Sequence, residues 1–238
     1  MPTDRLIPNV NSRMAAWIAI QDRLARQAPP ETKPAITISR QFGCEGYPLA
    51  ECLKTALDAR TGESWTIFDK ALIERVSRAT NLSEQLLGKL GDESHAFDTL
   101  ANLIPGLRTH GEAYQVLARH VLQIAREGNA IIVGQGGAVV TQHLPRCFHF
   151  RLEAPFEHRV RSIQERLKVS GQEAERIVTE YQKTRERFLE SFLHCSIADT
   201  RYYNAVFNCA KSPIESITHS ILDLVPLTPV TAVRGPTS

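Results

Sequence analysis

The sequence predicts an α/β domain in which a parallel sheet is flanked by helices. Two observations carry this. Short apolar stretches rich in β-branched residues alternate with longer segments of helical periodicity; the stretches are AITIS (35–39), SWTIF (64–68), NAIIVG (129–134), CFHFRLEA (147–154) and YNAVFNC (203–209). Strands spaced by helices pair in parallel, because a parallel neighbour needs a long crossover. Second, the polar or glycine-containing segments FGCEG, FDK and GQGG each follow a strand. Ligands of open α/β sheets bind at those carboxyl ends.

In chain order, residues 12–27, SRMAAWIAIQDRLARQ, set Met14, Trp17, Ile18 and Leu24 near helical spacing among helix-favouring alanines. APPETKP then breaks the pattern, so residues 1–34 are expected to form a helical extension and linker. That arm would dock on the main domain or on a second copy of the chain, as in a homodimer. The first strand leads through a turn into LAECLKTALDAR, with Pro48 suited to a first helical turn. The second ends in FDK and continues as the helix KALIERVSRAT, and the third runs into GQGG. The fourth opens the charged helical segment FEHRVRSIQERLKVSGQEAERIVTEYQKTRERFLESF, and the fifth precedes the helix SPIESITHSILDLV. The main domain is thus expected over 35–225, with a disordered tail at 226–238.

Composition narrows the function classes. A net charge of +2, from 28 Lys plus Arg against 26 Asp plus Glu, gives no overall basic field for nucleic acid or an anionic membrane. No run approaches the roughly 18 apolar residues of a membrane span, and no secretory pattern opens the chain. A cytoplasmic protein with reduced thiols is the expectation for its five cysteines, which form no CxxC pair. The eight histidines fall in no HxxxH or HExxH spacing, so no metal-ligating set is expected.

The turn RQFGCEGYP resembles a phosphate cradle, in which backbone N–H groups at a helix N-terminus face an anion and a lysine neutralises it. The lysine is missing. With Gly46 as the second glycine of GxxxxGK[ST], its place is taken by Tyr47 and the hydroxyl position by Pro48; read as GxGK from Gly43, the lysine place is Gly46. Arg40 and Gln41 follow directly on the strand, within reach of a polyphosphate, and Ser39 offers a hydroxyl. An ordinary strand-to-helix connection remains the alternative.

ITISRQFGCEGYPLAECL, together with FDKALIERV, AIIVGQGGAVV, FRLEAPFEHRVRSIQER and YNAVFN, resembles the cytidylate-kinase-like branch of the P-loop nucleoside monophosphate kinases, from about residue 35 to about 225. The resemblance implies a P-loop NTPase fold: a parallel five-stranded sheet, a phosphate loop, a monophosphate-binding region and an arginine-bearing helical lid, beside the extra N-terminal helix. It also implies phosphoryl transfer from ATP, with Mg2+, to a nucleotide such as CMP or dCMP. Ser39, Arg40, Gln41, Phe42, Gly43, Cys44, Glu45, Gly46 and Tyr47 would then bind the donor phosphates. Asp69, Lys70, Gly134, Gln135 and Gly136 would meet the acceptor, and Arg40, Arg159, Arg166 and Arg185 would be catalytic, with Lys183 beside them in the lid. Guanidinium groups suit this chemistry because the transition state spreads charge over phosphoryl oxygens.

Each assignment has a structural counterpart. Asp69 is also a good N-cap for a helix starting at residue 70, and GQGG is also a tight turn. The arginines of the long segment alternate with Glu157, Glu165, Glu173, Glu175, Glu180 and Glu186, as on a solvated helix face. The chain also departs from the branch pattern. Cys44 and Glu45 replace a small Ser-Gly pair, Tyr47 and Gln135 stand where arginines are expected, and Asn204 replaces an aspartate. These substitutions support a second reading, a catalytically degenerate nucleotide-binding regulator or scaffold on the same fold.

Overall fold

The computed structural model describes residues 33–73 and 110–227. The expected N-terminal helix, most of the helix after FDK and the tail from residue 228 lie outside them. Five strands form one parallel sheet: β1 (Ala35–Arg40), β2 (Thr66–Phe68), β3 (Ala130–Val133), β4 (Cys147–Glu153) and β5 (Ala205–Asn208), in the order β2-β3-β1-β4-β5. The helices are α1 (Gly46–Thr61), α2 (His110–Glu127), α3 (Gly137–Val140), α4 (Phe156–Leu167), α5 (Gly171–Leu193) and α6 (Ile214–Leu224). The charged segment that reads as one stretch is therefore two helices. They part at Lys168, which takes a left-handed φ of 54°, and Ser170 recaps α5 by accepting the Glu173 N–H at 3.2 Å.

Period-two alternation decides what each strand face covers. Ile36 and Ile38 of β1, Ile131 and Val133 of β3, and Phe150 and Leu152 of β4 point to one side. There they meet Leu49, Ala50, Leu53 and Leu57 of α1 and Ile217, Ile221 and Leu222 of α6. The i, i+4, i+8 spacing in α1 makes its buried stripe, and Gly62, left-handed at φ 68°, ends the helix by donating to Asp58 O at 3.0 Å. On the other side Ala35, Phe68, Ala130, Ile132 and Cys147 pack against Leu117, Val121 and Ile124 of α2 and against Phe188 and Phe192 of α5. None of the described helices is long and apolar enough to cross a membrane.

Toward β4 that second face turns polar. Thr37 of β1 and His149 of β4 are buried and share a hydrogen bond of 2.9 Å between Oγ1 and Nδ1, and the His149 backbone N–H donates to Asn204 Oδ1 at 2.6 Å. Burial pushes the His149 pKa down to about 4, against roughly 6.5 for an exposed histidine. Unfolding therefore takes up a proton between these values. The stability due to neutral His149 is fully present above about pH 6.5 and is lost as the pH falls toward about 4, by about 3 kcal/mol at most. Denaturant midpoints measured over this range should fall more steeply in the wild type than in His149→Gln; parallel profiles would exclude His149 as the source.

Candidate functional site

β1 ends at Arg40, and residues 41–45 turn the chain into α1 at the carboxyl edge of the sheet. Gly43 has φ +98°, and a Cβ there would lie 2.6 Å from the Cβ of Arg159, so only glycine lets the loop pass this close to α4. Two bonds close the turn internally: Cys44 N–H to Gln41 O at 3.2 Å and Gly46 N–H to Cys44 O at 3.0 Å. The N–H groups of Gly43 and Glu45 donate to no protein acceptor among the described residues. Glu45 is the N-cap residue of α1, yet its side chain makes no capping bond.

Arg40 threads through a gap left by two glycines. A Cβ on Gly46 would lie 3.1 Å from Arg40 Cδ, and a Cβ on Gly134 would lie 2.1 Å from Arg40 Nη1. The side chain thus runs from the start of α1 to the end of β3. Position 46 is one of the two places where a phosphate loop would carry its lysine, and Arg40 crosses the space that such a side chain would enter. Burial pushes the Arg40 guanidinium below its usual pKa, with the charge of Asp69 acting against that shift. The ends of β1, β2 and β3 thereby converge on one guanidinium.

A second cation comes from α5. Arg185 Nη1 donates to Arg40 O at 3.4 Å, and its guanidinium lies 4.8 Å from the centroid of the Phe42 ring. Burial first, and then repulsion from Arg40, hold Arg185 well below its usual pKa. Phe42 also stacks on Tyr181 with ring centroids 4.8 Å apart, and its N–H donates to Gln182 Oε1 at 2.8 Å. Its carbonyl accepts from Arg159 Nη1 at 3.3 Å, while Arg159 Nε donates to Ala154 O at 3.1 Å. The α4–α5 pair therefore grips the loop through one aromatic residue.

The other expected site residues are dispersed among distinct tasks. The Gln41 side-chain oxygen accepts from Ala154 N–H at 3.0 Å, and the Ser39 hydroxyl accepts from Tyr203 at 3.3 Å. Asp69 Oδ1 accepts the Leu72 N–H at 2.9 Å, so this carboxylate caps the helical turn opening at Lys70 while its charge faces Arg40. Gly134, Gln135 and Gly136 are all left-handed, at φ 82°, 57° and 68°. Arg166 lies in the last turn of α4, about 10 Å along the axis from Arg159. Lys183 is exposed, and Arg176 pairs with Glu173 and Glu180 at 2.6 and 2.7 Å on the outer face of α5, as a solvated helix would.

Three contributors escape sequence reasoning: Tyr181, Gln182 and Arg151. The first two sit on the α5 face that carries Arg185, one turn earlier, a relation that helical spacing would give once Arg185 is chosen. Arg151 is 2% exposed on β4; its Nε donates to Glu153 Oε1 at 2.6 Å, its guanidinium lies 5.7 Å from the Tyr203 ring, and its buried Nη1 has no partner among the described residues.

The sequence profile of the cytidylate kinase-like family matches residues 35–211, and the chain belongs to that family. Its fold is similar to that of an uncharacterized protein from Eubacterium ventriosum, with TM-score 0.60 and 16% identity over 81% of this chain and 98% of that one. A shikimate kinase from Bacteroides thetaiotaomicron matches at TM-score 0.45 and 11% identity, over 80% and 97% of the two chains. A dephospho-CoA kinase from Campylobacter jejuni matches at TM-score 0.35 and 11% identity, over 81% and 98%. No curated protein matches the chain in sequence.

The glycine gap makes a direct test. In Gly134→Ala the new methyl group collides with Arg40 at a positive φ, which costs at least about 1–2 kcal/mol in backbone strain alone. The melting temperature should fall by several degrees. An unchanged melting temperature would mean that neither the left-handed backbone at position 134 nor the contact with Arg40 constrains this position.

Proposed function

We propose that the protein transfers a phosphoryl group from ATP to a nucleoside monophosphate, with CMP and dCMP the first candidates. The observation that carries this reading is the placement of two arginines at the loop: the Arg40 side chain threads between Gly46 and Gly134, and Arg185 Nη1 donates to the Arg40 carbonyl at 3.4 Å. Two partly buried guanidinium groups at one loop are unfavourable unless an anion completes the site. A phosphate group, which accepts several charge-assisted hydrogen bonds, is the natural complement. Family membership and the parallel sheet with a loop between β1 and α1 support the kinase assignment.

The residues present fit a polyphosphate. Arg40 and Arg185 supply charge, the N–H groups of Gly43 and Glu45 supply donors, and the positive end of the α1 dipole lies beneath them. For magnesium the fit is indirect, since Pro48 has no hydroxyl and the described residues hold no cluster of three or more His, Cys, Asp or Glu ligands. Mg2+ retains waters and takes phosphate oxygens as ligands, so the ion would enter with the nucleotide. ATP supplies the phosphoryl group.

The chain's own residues then have defined tasks. Arg40 and Arg185 hold the oxygens on which charge spreads during transfer, and because they are fixed beforehand this costs little reorganisation. Phe42, gripped from both sides, keeps Arg185 over the loop. Arg159, with both described hydrogen bonds on backbone carbonyls, orients the loop and contacts no phosphate in this reading. No general base is needed, because a monophosphate oxygen is already a nucleophile. Gln135 would meet the acceptor: a non-glycine residue in the left-handed region carries strain that tends to sit at functional sites. Its uncharged amide would bind the acceptor phosphate more weakly than an arginine would.

The second reading, nucleotide binding without turnover, is favoured by Pro48 and by the carboxylate of Glu45 at the mouth of the loop. A coupled assay of ADP release from Mg-ATP across CMP, dCMP, UMP, AMP and GMP separates the two. Acceptor-dependent release is expected, lowered about 100-fold or more in Arg40→Ala and in Arg185→Ala, with Arg40→Lys recovering part of the loss. Silence with every acceptor from folded protein that still binds ATP would establish the non-catalytic reading.

A further inference from the structure

We propose that Arg151 of β4 is a third phosphate-binding guanidinium, which reaches a polyphosphate on the loop from the neighbouring strand. The inference rests on the phosphate-loop reading and adds to it a residue outside both the loop and the helical pair.

The direction of the side chain comes first. Alternation along β4 sends Phe150 and Leu152 to the α1 side and His149, Arg151 and Glu153 to the other. There Arg151 Nε donates to Glu153 Oε1 at 2.6 Å. Glu153 is the last residue of the strand, so this bond runs the Arg151 side chain along β4 toward the carboxyl edge of the sheet. That edge is where the loop lies: Gln41 N–H donates to Leu152 O at 3.0 Å, and Ala154 N–H donates to Gln41 Oε1 at 3.0 Å. In the β1–β4 ladder Arg151 is in register with Ser39, and Leu152 with Arg40. Arg151 therefore flanks the strand end whose Arg40 carbonyl accepts from Arg185.

The guanidinium is short of partners. It is 2% exposed, yet its five N–H donors make one hydrogen bond among the described residues. Nη1 is buried with no partner there. A buried charged donor left unpaired is costly. Glu153 answers Nε alone and is itself 39% exposed. Tyr203, whose ring centroid lies 5.7 Å from the guanidinium carbon, directs its hydroxyl hydrogen to Ser39 Oγ at 3.3 Å or to Ile197 O at 3.0 Å. Ser39 accepts that bond and keeps its own O–H as a donor beside Arg151.

A charged fork with a free buried end, next to a hydroxyl at the ligand edge of the sheet, complements a phosphate oxygen. Three guanidinium groups then meet the end of β1: Arg40 from the strand itself, Arg185 at its carbonyl, and Arg151 beside Ser39. A polyphosphate spreads its charge over successive groups, and cations spaced around one strand end match that spread.

Binding of inorganic tripolyphosphate and of Mg-ATP to the full chain is measured by titration calorimetry, beside thermal unfolding without ligand. Arg151→Gln should weaken tripolyphosphate binding at least about tenfold. Its unliganded melting temperature should stay within about 4 °C of the wild type, because the change leaves Glu153 accessible to water and removes a donor that lacked a partner. Arg151→Lys keeps the charge but loses the planar fork, and should recover only part of the affinity. Arg161→Gln removes an exposed arginine of α4 and should bind as the wild type does. Wild-type affinity in Arg151→Gln, or an equal loss in Arg161→Gln, would overturn the proposal. A lowered melting temperature with unchanged affinity would overturn it too, as the mark of a structural residue whose free donor meets a buried water. Should Arg151→Gln fail to fold, wild-type affinity in Arg151→Lys overturns the proposal in its place. Wild-type protein that binds neither ligand would remove the phosphate-loop reading and Arg151 with it, whereas tight binding indifferent to position 151 removes Arg151 alone.

Discussion

The site depends on a steric constraint at Arg40. The guanidinium reaches the end of β3 because positions 46 and 134 carry no Cβ, and a methyl group at either would meet its side chain. Nothing about glycine flexibility is needed at Gly46; what matters there is empty space. The same gap brings the carboxylate end of β2, Asp69, close to Arg40, so one side chain gathers three strand ends. Without a lysine in the loop, the positive charge enters from β1 and is fixed by the sheet itself, a more rigid mount than a residue on the turning helix terminus.

Arg185 completes the charge only because Phe42 positions it. Phe42 is held by stacking, by a guanidinium over its ring and by hydrogen bonds at both its N–H and its carbonyl, from Tyr181, Arg185, Gln182 and Arg159. These interactions differ in kind from the ion pairs of Arg176 on the outer surface. Exposed pairs of that type contribute little, because both partners are well solvated when apart. A desolvated cation over an aromatic face, with backbone donors and acceptors satisfied around it, is worth more per contact. The helical pair is therefore anchored at the loop, and Lys183 falls on its exposed face.

The sheet was legible because its strands are written in β-branched and apolar residues between helical segments, and all five appear within a few residues of the expected limits. The strand order was not legible from periodicity, since alternation tells which face a residue takes and not which neighbour its strand pairs with. Arg40 was legible as a charge at a strand end. Its route was not, because that depends on Gly46 and Gly134 meeting it from far along the chain. Gln182 and Tyr181 were hidden for the same reason: Phe42 and Gln182 are separated by 140 positions, and a neutral amide among charges gives no local signal. In CFHFRLE the alternation of apolar with His149 and Arg151 suggests a solvated face, whereas in this central parallel strand both polar residues are buried.

The loop that carries Cys44 and Glu45 sits among several guanidinium groups. Arg40, Arg151, Arg159 and Arg185 act on the loop, and of the described carboxylates near them Asp69 is shared with a helix cap, Glu153 meets Arg151 through a single bond and Glu45 makes no capping bond. A loop of small residues would leave this excess of positive charge to the ligand alone. Interaction with Cys209, and then the charges of Arg159, Arg185 and Arg151, hold the Cys44 thiol below its usual pKa against the opposing effect of burial. The cysteine thus responds to the same positive charge that the proposed phosphate site would use.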